Sequence, residues 1–360
     1  MAEPAPKPEH GGSQAPLRPD SPLPNYLRWS GPLLAAGFGL GSKCHRALTK
    51  ARFAPLPTIC VGNLSAGGTG KTPAVKYFAR ILCSLGRRPA VLMRGYKEQA
   101  SDEAREITAA ISDLKVPVLI GADRLASAQT ALNSGCDAVL LDDGFQHWRM
   151  ARDLDIVLID ALDPFGGGRL LPFGRLRESP AALSRASVVI VTRSDACSEN
   201  DLASLRSRLK ALAPDALQLR AIHKPLRLKT CGSDETQPLE KLQRLRVLAA
   251  CGIGNPAGFQ RTLSVLGCEL AGFAVFPDHH NYTTDDLTRL SAQAKDLRAN
   301  AIVVTEKDAV KIIRLPASAA SQPPLLSLEV GFEILGDTQV LIETFKRVLA
   351  LGDQRASRKS

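Results

Sequence analysis

Aromatic residues are scarce. Phe, Trp and Tyr make up 5% of the 360 residues, and nowhere do they alternate with Lys and Arg as a base-stacking surface would require. A nucleic-acid-binding ATPase is therefore disfavoured, although the net charge is +10. Paired cysteines are absent as well. The 8 Cys are scattered and none forms a CxxC pair, which argues against a disulfide scaffold or structural zinc and fits a reducing cytosol. Nor does the apolar stretch Gly31 to Gly41 reach the roughly 20 residues of a spanning helix. Residues 1–25 are rich in Pro and poor in large apolar side chains. They lack the layout of a signal peptide and read as a disordered tail.

Acids are missing from one further segment. Residues 26–53 carry Arg28, Lys43, Arg46, Lys50 and Arg52 around an apolar core, with Trp29 nearby. Two readings of 26–54 follow: an interfacial helix on an anionic membrane, or a helix packed on the fold. Taken whole, the chain has an ordinary globular composition, 44% hydrophobic and 23% charged. Its length suggests two domains.

From residue 55 short β-branched runs alternate with helical stretches. PTICVGN, PAVLMRG, DAVLLDDG, DIVLID and SVVIVTR read as strands, with helices over 72–85, 122–133 and 199–212 between them. This is βαβ repetition, so an α/β fold with mainly parallel sheets is expected. The rhythm breaks over 214–237, where two short strands flank His223-Lys224-Pro225. It resumes with RVLAACG, CELAGFAVF, NAIVVT and PLLSLEV and helices near 256–266, 284–297 and 337–350. The expected units are 55–222, then a smaller α/β unit 223–352 whose first part, 223–237, is a linker, and a basic tail 353–360.

The strongest chemical signal is Ser65-Ala66-Gly67-Gly68-Thr69-Gly70-Lys71-Thr72, between a strand and a helix. Glycines let backbone N–H groups turn toward phosphate oxygens at a helix N-terminus. Lys71 would reach the β- and γ-phosphates, and Thr72 would offer a hydroxyl to Mg²⁺. Ser65 stands where the usual phosphate loop has its first Gly. Asp142 and Asp143 end an apolar strand, the layout of a Mg²⁺-organising acid. Which of the two faces the metal stays open. Asp278-His279-His280-Asn281-Tyr282 offers either one His as a base or a capping Asp beside two surface histidines. Asn63, Arg94, Arg124, Arg169 and Arg177 are weaker candidates for phosphate or sugar contacts.

These motifs, in this order, resemble the tetraacyldisaccharide 4′-kinase family, the lipid A 4′-kinases of Gram-negative bacteria. The matching stretches are VGNLSAGGTGKTP, RGY with the later Asp102-Glu103, GADR, LDDGFQH, LLPFGRLRE, DHHNYT and TEKDAVK. The resemblance implies two α/β/α domains, the first of phosphate-loop NTPase type, joined by a short β-linker with catalysis in the cleft between them. It implies ATP and Mg²⁺, and transfer of the γ-phosphate to the 4′-hydroxyl of a lipid A disaccharide 1-phosphate. It implies an Asp–His pair, Asp102 with His279 by motif position, His280 being the alternative. It also implies a place at the cytoplasmic face of the bacterial inner membrane; no obligate protein partner is evident from the sequence. The reading kept beside it is a phosphate-loop regulatory NTPase or metallochaperone-type switch, for which Thr192-Arg193-Ser194-Asp195 is a partial echo of a guanine-specific motif.

Overall fold

The computed structural model describes residues 49–95, 97–278, 280–315 and 322–357, with the backbone alone for 97–102, 356 and 357. The expected tail 1–25 and all but the end of the segment 26–54 lie outside the described residues. In chain order the first elements are β1 (Arg52–Phe53), β2 (Thr58–Asn63), α1 (Lys71–Ser84), β3 (Pro89–Met93), α2 (Lys97–Ala110), β4 (Val118–Ile120), α3 (Arg124–Asn133), β5 (Ala138–Asp142), β6 (Met150–Ala151), β7 (Leu154–Asp160), β8 (Val188–Thr192) and α4 (Glu199–Leu212). Next come β9 (Leu217–Thr230), β10 (Thr236–Gln237), β11 (Arg246–Cys251), α5 (Pro256–Val265), β12 (Glu269–Val275), α6 (Thr284–Asp296), β13 (Ala301–Thr305), α7 (Glu306–Ile312), β14 (Leu325–Leu335) and α8 (Gln339–Ser357).

Strands β4-β3-β5-β2-β7-β8 run parallel. Every residue of β2, β3, β5 and β8 is buried, as expected of strands covered on both faces. One face packs on α1 through Ala74, Val75, Phe78, Ala79 and Leu82, positions that recur with the helical period. The opposite face packs on α3 and α4, through Ala128, Ala131, Leu202, Leu205 and Leu209. The layering is therefore α/β/α.

In the second half, β12-β11-β13 are also parallel, with α5, Phe259 and Leu263 among its residues, in one core and Leu287 and Leu290 of α6 in the other. The halves share one sheet. β9 begins parallel to β8, β14 begins parallel to β13, and the two then pair antiparallel from Leu326↔Thr230 to Leu335↔Arg220. The ribbon carries the chain from one half to the other and back. Where two short strands were expected around His223-Lys224-Pro225, β9 is a single strand of 14 residues. Pro225 has no N–H to give to the ladder, and the register shifts between Glu329 and Val330, beside its partner position.

Two further differences concern the C-terminal end. The helix expected over 337–350 within the second unit packs on the first: Leu341, Phe345, Val348 and Leu349 join the α1 core, and Phe345 stacks on Phe78 with ring centroids 5.6 Å apart. Where a basic tail was expected from 353, α8 continues to Ser357. Its end is held by Asp353 on Arg87, by Arg355 on Asp153, and by the Arg355 guanidinium 4.2 Å from the Phe53 ring centroid. No helix among the described residues is long and apolar enough to cross a membrane.

Candidate phosphate-binding cleft

The turn between β2 and α1 is fixed from three sides. At its start, Asn63, the last residue of β2, is fully buried, and its Nδ2 donates to the Ser65 carbonyl at 2.7 Å and to Thr69 Oγ1 at 2.8 Å. Gln146 of the LDDGFQH stretch donates to the Asn63 carbonyl at 2.9 Å. From the LLPFGRLRE loop, the Arg175 carbonyl accepts from the Ala66 N–H at 2.7 Å, and the Arg177 N–H donates to the Leu64 carbonyl at 2.7 Å. Ser65 thereby forms a bridge to Leu176. From the end of β8, the Thr192 hydroxyl donates to the Thr69 carbonyl at 3.1 Å, and Arg193, the next residue, donates to the Gly68 carbonyl while pairing with Asp160.

This explains why Ser65 is tolerated in place of Gly. The positive φ angles of the loop fall at Gly67 (121°) and Gly70 (88°), and Ser65 is not among the positive-φ residues. Gly70 has a second constraint, since a Cβ there would collide with Nε2 of His223. Its φ is also strained for an L side chain. Gly70→Ala is therefore expected to distort the turn and weaken ATP binding by about 10²-fold, measured by calorimetric titration. Unchanged affinity would show that the turn tolerates the clash.

Gly70 caps α1 without a side-chain hydrogen bond, and no acid occupies the first turn. The helix N-terminus therefore faces the cleft with its positive potential uncompensated by its own sequence. Lys71 Nζ lies 3.8 Å from Asp143 Oδ1. Arg177 Nη1 donates to both Asp143 oxygens, at 2.8 and 2.7 Å. Burial works to raise the Asp143 pKa, but the Lys71 and Arg177 cations outweigh it and hold the carboxyl below its usual range. Asp142 is the opposite case. Burial, reinforced by the neighbouring Asp143 charge, pushes its pKa up to about 7. Its Oδ1 is buried without a hydrogen-bond partner among the described residues. Two adjacent carboxylates are thus held in different states by their surroundings.

An unpartnered buried carboxylate oxygen beside a phosphate loop fits a hard cation. Mg²⁺ is commonly held by one or two carboxylates together with hydroxyl, water and phosphate oxygens. Asp142 and Thr72 suit that role, with Asp143 already engaged by Lys71 and Arg177.

A cleft of about 650 Å³ opens in front of the turn. Its N-terminal wall includes Gly67 to Thr72, Asp142, Asp143, Arg94 and Arg177, and its C-terminal wall includes Gly254, Asp278 and Glu306. A Cβ on Gly254 would lie 3.1 Å from Asp278 Oδ2 and 4.0 Å from the Gly68 nitrogen. The DHHNYT loop therefore stands across from the phosphate loop.

Not every sequence candidate comes to this place. Arg124 is 2% exposed, and its guanidinium donates to the Gly121 carbonyl. Burial brings its pKa down to about 10, while Asp142 and Asp143 act on it through space. It is a core cation behind the acids rather than a cleft contact. Arg169 is exposed and is not among the residues lining the cleft. His280 is taken up structurally. Its Nε2 meets Asp286 at 3.0 Å, its ring stacks on Phe276, and Asp286 closes the capping box of α6 with Thr283. His279 and the Asp102 side chain lie outside the described residues; the backbone places residue 102 within α2.

Three contributors escaped the sequence reading. Arg193 belongs to the partial guanine-motif echo, and at φ 54° it reaches the phosphate loop. His223 packs against Gly70 with Nε2 buried and without a partner among the described residues. Burial and the nearby Arg193 charge bring its pKa down to about 4, so it is neutral at pH 7. Lys76 of α1 bridges Glu106 and Glu306.

Comparison with known proteins shows the family of the chain. The family model for tetraacyldisaccharide-1-P 4′-kinases matches residues 28–350. The tetraacyldisaccharide 4′-kinase of Anaeromyxobacter dehalogenans strain 2CP-C is 40% identical over 331 residues, covering 86% of each chain. That of Syntrophus aciditrophicus is 37% identical, covering 81% of this chain and 86% of its own. In three dimensions, a crystal structure of the "apo" form of LpxK from Aquifex aeolicus in complex with ATP superposes with a TM-score of 0.69 at 24% identity, covering 90% of this chain and 99% of the other. With a family match over most of its length and close relatives of equal span, the chain belongs to the tetraacyldisaccharide-1-P 4′-kinase family.

Proposed function

We propose that this chain transfers the γ-phosphoryl group of ATP to the 4′-hydroxyl of a tetraacylated glucosamine disaccharide 1-phosphate. The observation that carries this reading is the cleft itself. It sets the Gly67–Thr72 turn, Lys71 and the Asp142–Asp143 pair opposite the Asp278 loop. Family membership favours this reading over a regulatory NTPase or metallochaperone-type switch.

Phosphoryl transfer asks for positioning and charge neutralisation more than for covalent help. Backbone N–H groups of Gly67 to Thr72 and the α1 N-terminus cradle the triphosphate, and Lys71 offsets charge on the departing phosphoryl. Asp143 holds Lys71 and Arg177 in place. Mg²⁺, held by Asp142 and Thr72, would supply charge neutralisation at the β- and γ-phosphates. A sugar hydroxyl is a poor nucleophile at neutral pH, and a base in hydrogen-bond reach adds about 10²- to 10⁴-fold. In our reading Asp102 with His279 takes that role by motif position; His280, the alternative, contacts Asp286 and Phe276.

The reading also places the protein at the cytoplasmic face of the bacterial inner membrane, with 26–54 as an interfacial helix. The +10 charge suits an anionic lipid surface and an anionic substrate. Deleting 26–50 is expected to move the protein from the membrane fraction to the supernatant on ultracentrifugation. Unchanged partitioning would reject the anchor. The activity is tested by incubating the protein with γ-labelled ATP, Mg²⁺ and the disaccharide 1-phosphate in detergent micelles. Label in a bisphosphorylated glycolipid is expected, and label found in free phosphate alone would contradict the assignment.

A further inference from the structure

The TEKDAVK stretch has no part in the mechanism above, yet its contacts reach both walls of the cleft. It spans the end of β13 and all but the last residue of α7. Thr305 caps the helix, and its hydroxyl donates to Asp308 Oδ2 at 2.6 Å, an oxygen that also accepts from the Gly252 N–H at 3.1 Å. Lys307 Nζ meets Asp278 at 3.3 Å, and Lys311 Nζ donates to the His280 carbonyl at 2.9 Å. Two lysines thus hold the residues on either side of position 279. The remaining charged side chain, Glu306, turns the other way. It accepts from Lys76 at 2.8 Å, and the same ammonium donates to Glu106 at 2.9 Å.

Each arm of this node leads to a residue of the proposed mechanism. Lys76 lies on α1, five residues after Lys71. Glu106 lies on α2, four residues after Asp102, one helical turn away. Glu306 opens α7, the helix that braces the 278–280 loop. Lys76 and Glu106 are almost buried, with side chains 11% and 9% exposed. Such a pair is screened little by salt and costs much to break by removing one member. Burial opposes the Lys76 charge, but the two carboxylates more than compensate, so the ammonium stays protonated.

We propose that Lys76 is a positioning residue: with Glu106 and Glu306 it sets the register of α1, α2 and α7, the helices that open at the phosphate loop, carry position 102 and brace the residues on either side of position 279, and the Asp102–His279 pair depends on that register. The inference rests on the Asp102–His279 reading given above. It assigns to one buried cation the assembly of groups carried on three separate elements. A displacement of about 1 Å between such groups costs on the order of 10²-fold in rate.

The test uses full-length protein in detergent micelles. Lys76→Met keeps the aliphatic stem and removes the charge. It is expected to lower kcat by about 10²-fold while the Kd for ATP stays within about threefold, and Lys76→Arg should recover part of the loss. The decisive measurement is a double-mutant cycle. If Lys76 acts through the pair, Lys76→Met adds nothing beyond about twofold in an Asp102→Asn background. Glu306→Gln leaves the Lys76–Glu106 bridge intact and is expected to lower kcat by about tenfold with the same split; it decides the matter if Lys76→Met does not fold. A kcat near the parent value in Lys76→Met beside a crippled Asp102→Asn overturns this inference alone. So does a full multiplicative loss in the double variant, or an ATP affinity that falls in step with kcat. An intact kcat in Asp102→Asn removes the base assignment, and the inference with it.

Discussion

Lys71→Ala is expected to lower kcat for phosphoryl transfer by about 10³-fold or more, measured as the initial rate of label transfer at saturating ATP. The ammonium stands at the N-terminus of α1, 3.8 Å from Asp143, with 17% of its side chain exposed. Charge developing on the departing phosphoryl would meet it in a partly dehydrated cleft, where the interaction is stronger than in water. Lys71→Arg should not restore the rate. A planar guanidinium delivers its charge differently from a compact ammonium, and Arg177 already donates to both Asp143 oxygens. A variant that keeps near-full rate would remove Lys71 from the transition state.

Asp142→Asn should separate stability from activity. The carboxyl titrates near 7 in the folded protein, against an ordinary value of 3.8. Between these values the folded state binds more protons than the unfolded state, so stability falls as pH rises from about 4 to about 7. Above pH 7 the full cost of the buried charge is present, and below about pH 4 it is gone. In buffer without divalent cations, Asp142→Asn should gain roughly 2–4 kcal/mol at pH 8 and nothing at pH 4. Transfer should fall by about 10²- to 10³-fold at every pH. Thermal melts at both pH values, paired with rates, check both parts. A variant less stable than the parent at pH 8 would show that the ionised carboxylate is already satisfied. Asp143→Asn should do the reverse, since Lys71 and Arg177 hold that carboxyl below its usual range. Its loss should cost stability above pH 4, an effect that fades as the pH falls.

Much of this site could be read along the chain. The phosphate turn announces itself because its glycines, Lys71 and Thr72 are contiguous and lie between a strand and a helix. The Asp142–Asp143 pair is visible for the same reason. What joins them was not legible. Arg193 braces Gly68 from 125 positions away, aimed there by its positive φ and its pairing with Asp160. His223 was noted as part of a linker, yet its register opposite Phe332 seats it on Gly70. The helix over Lys97–Ala110 was missed because few of its positions carry a large apolar side chain, although Ala104 and Ile107 are buried at helical spacing. α8 was cut short because its last turn is polar, and its support comes from Asp153, Arg87 and Phe53, which lie far off in sequence. Local chemistry was readable, whereas contacts set by the shared sheet were not.

The central claim is that the turn from Gly67 to Thr72 grips ATP with its terminal phosphoryl facing the wall formed by the Asp278 loop and α7. A crystal structure of the full chain with a non-hydrolysable ATP analogue and Mg²⁺ measures this directly. The triphosphate should lie on the backbone N–H groups of that turn, with Lys71 against its γ-phosphate and Asp142 on the metal side. A triphosphate seated elsewhere, with the turn left empty, would contradict the account.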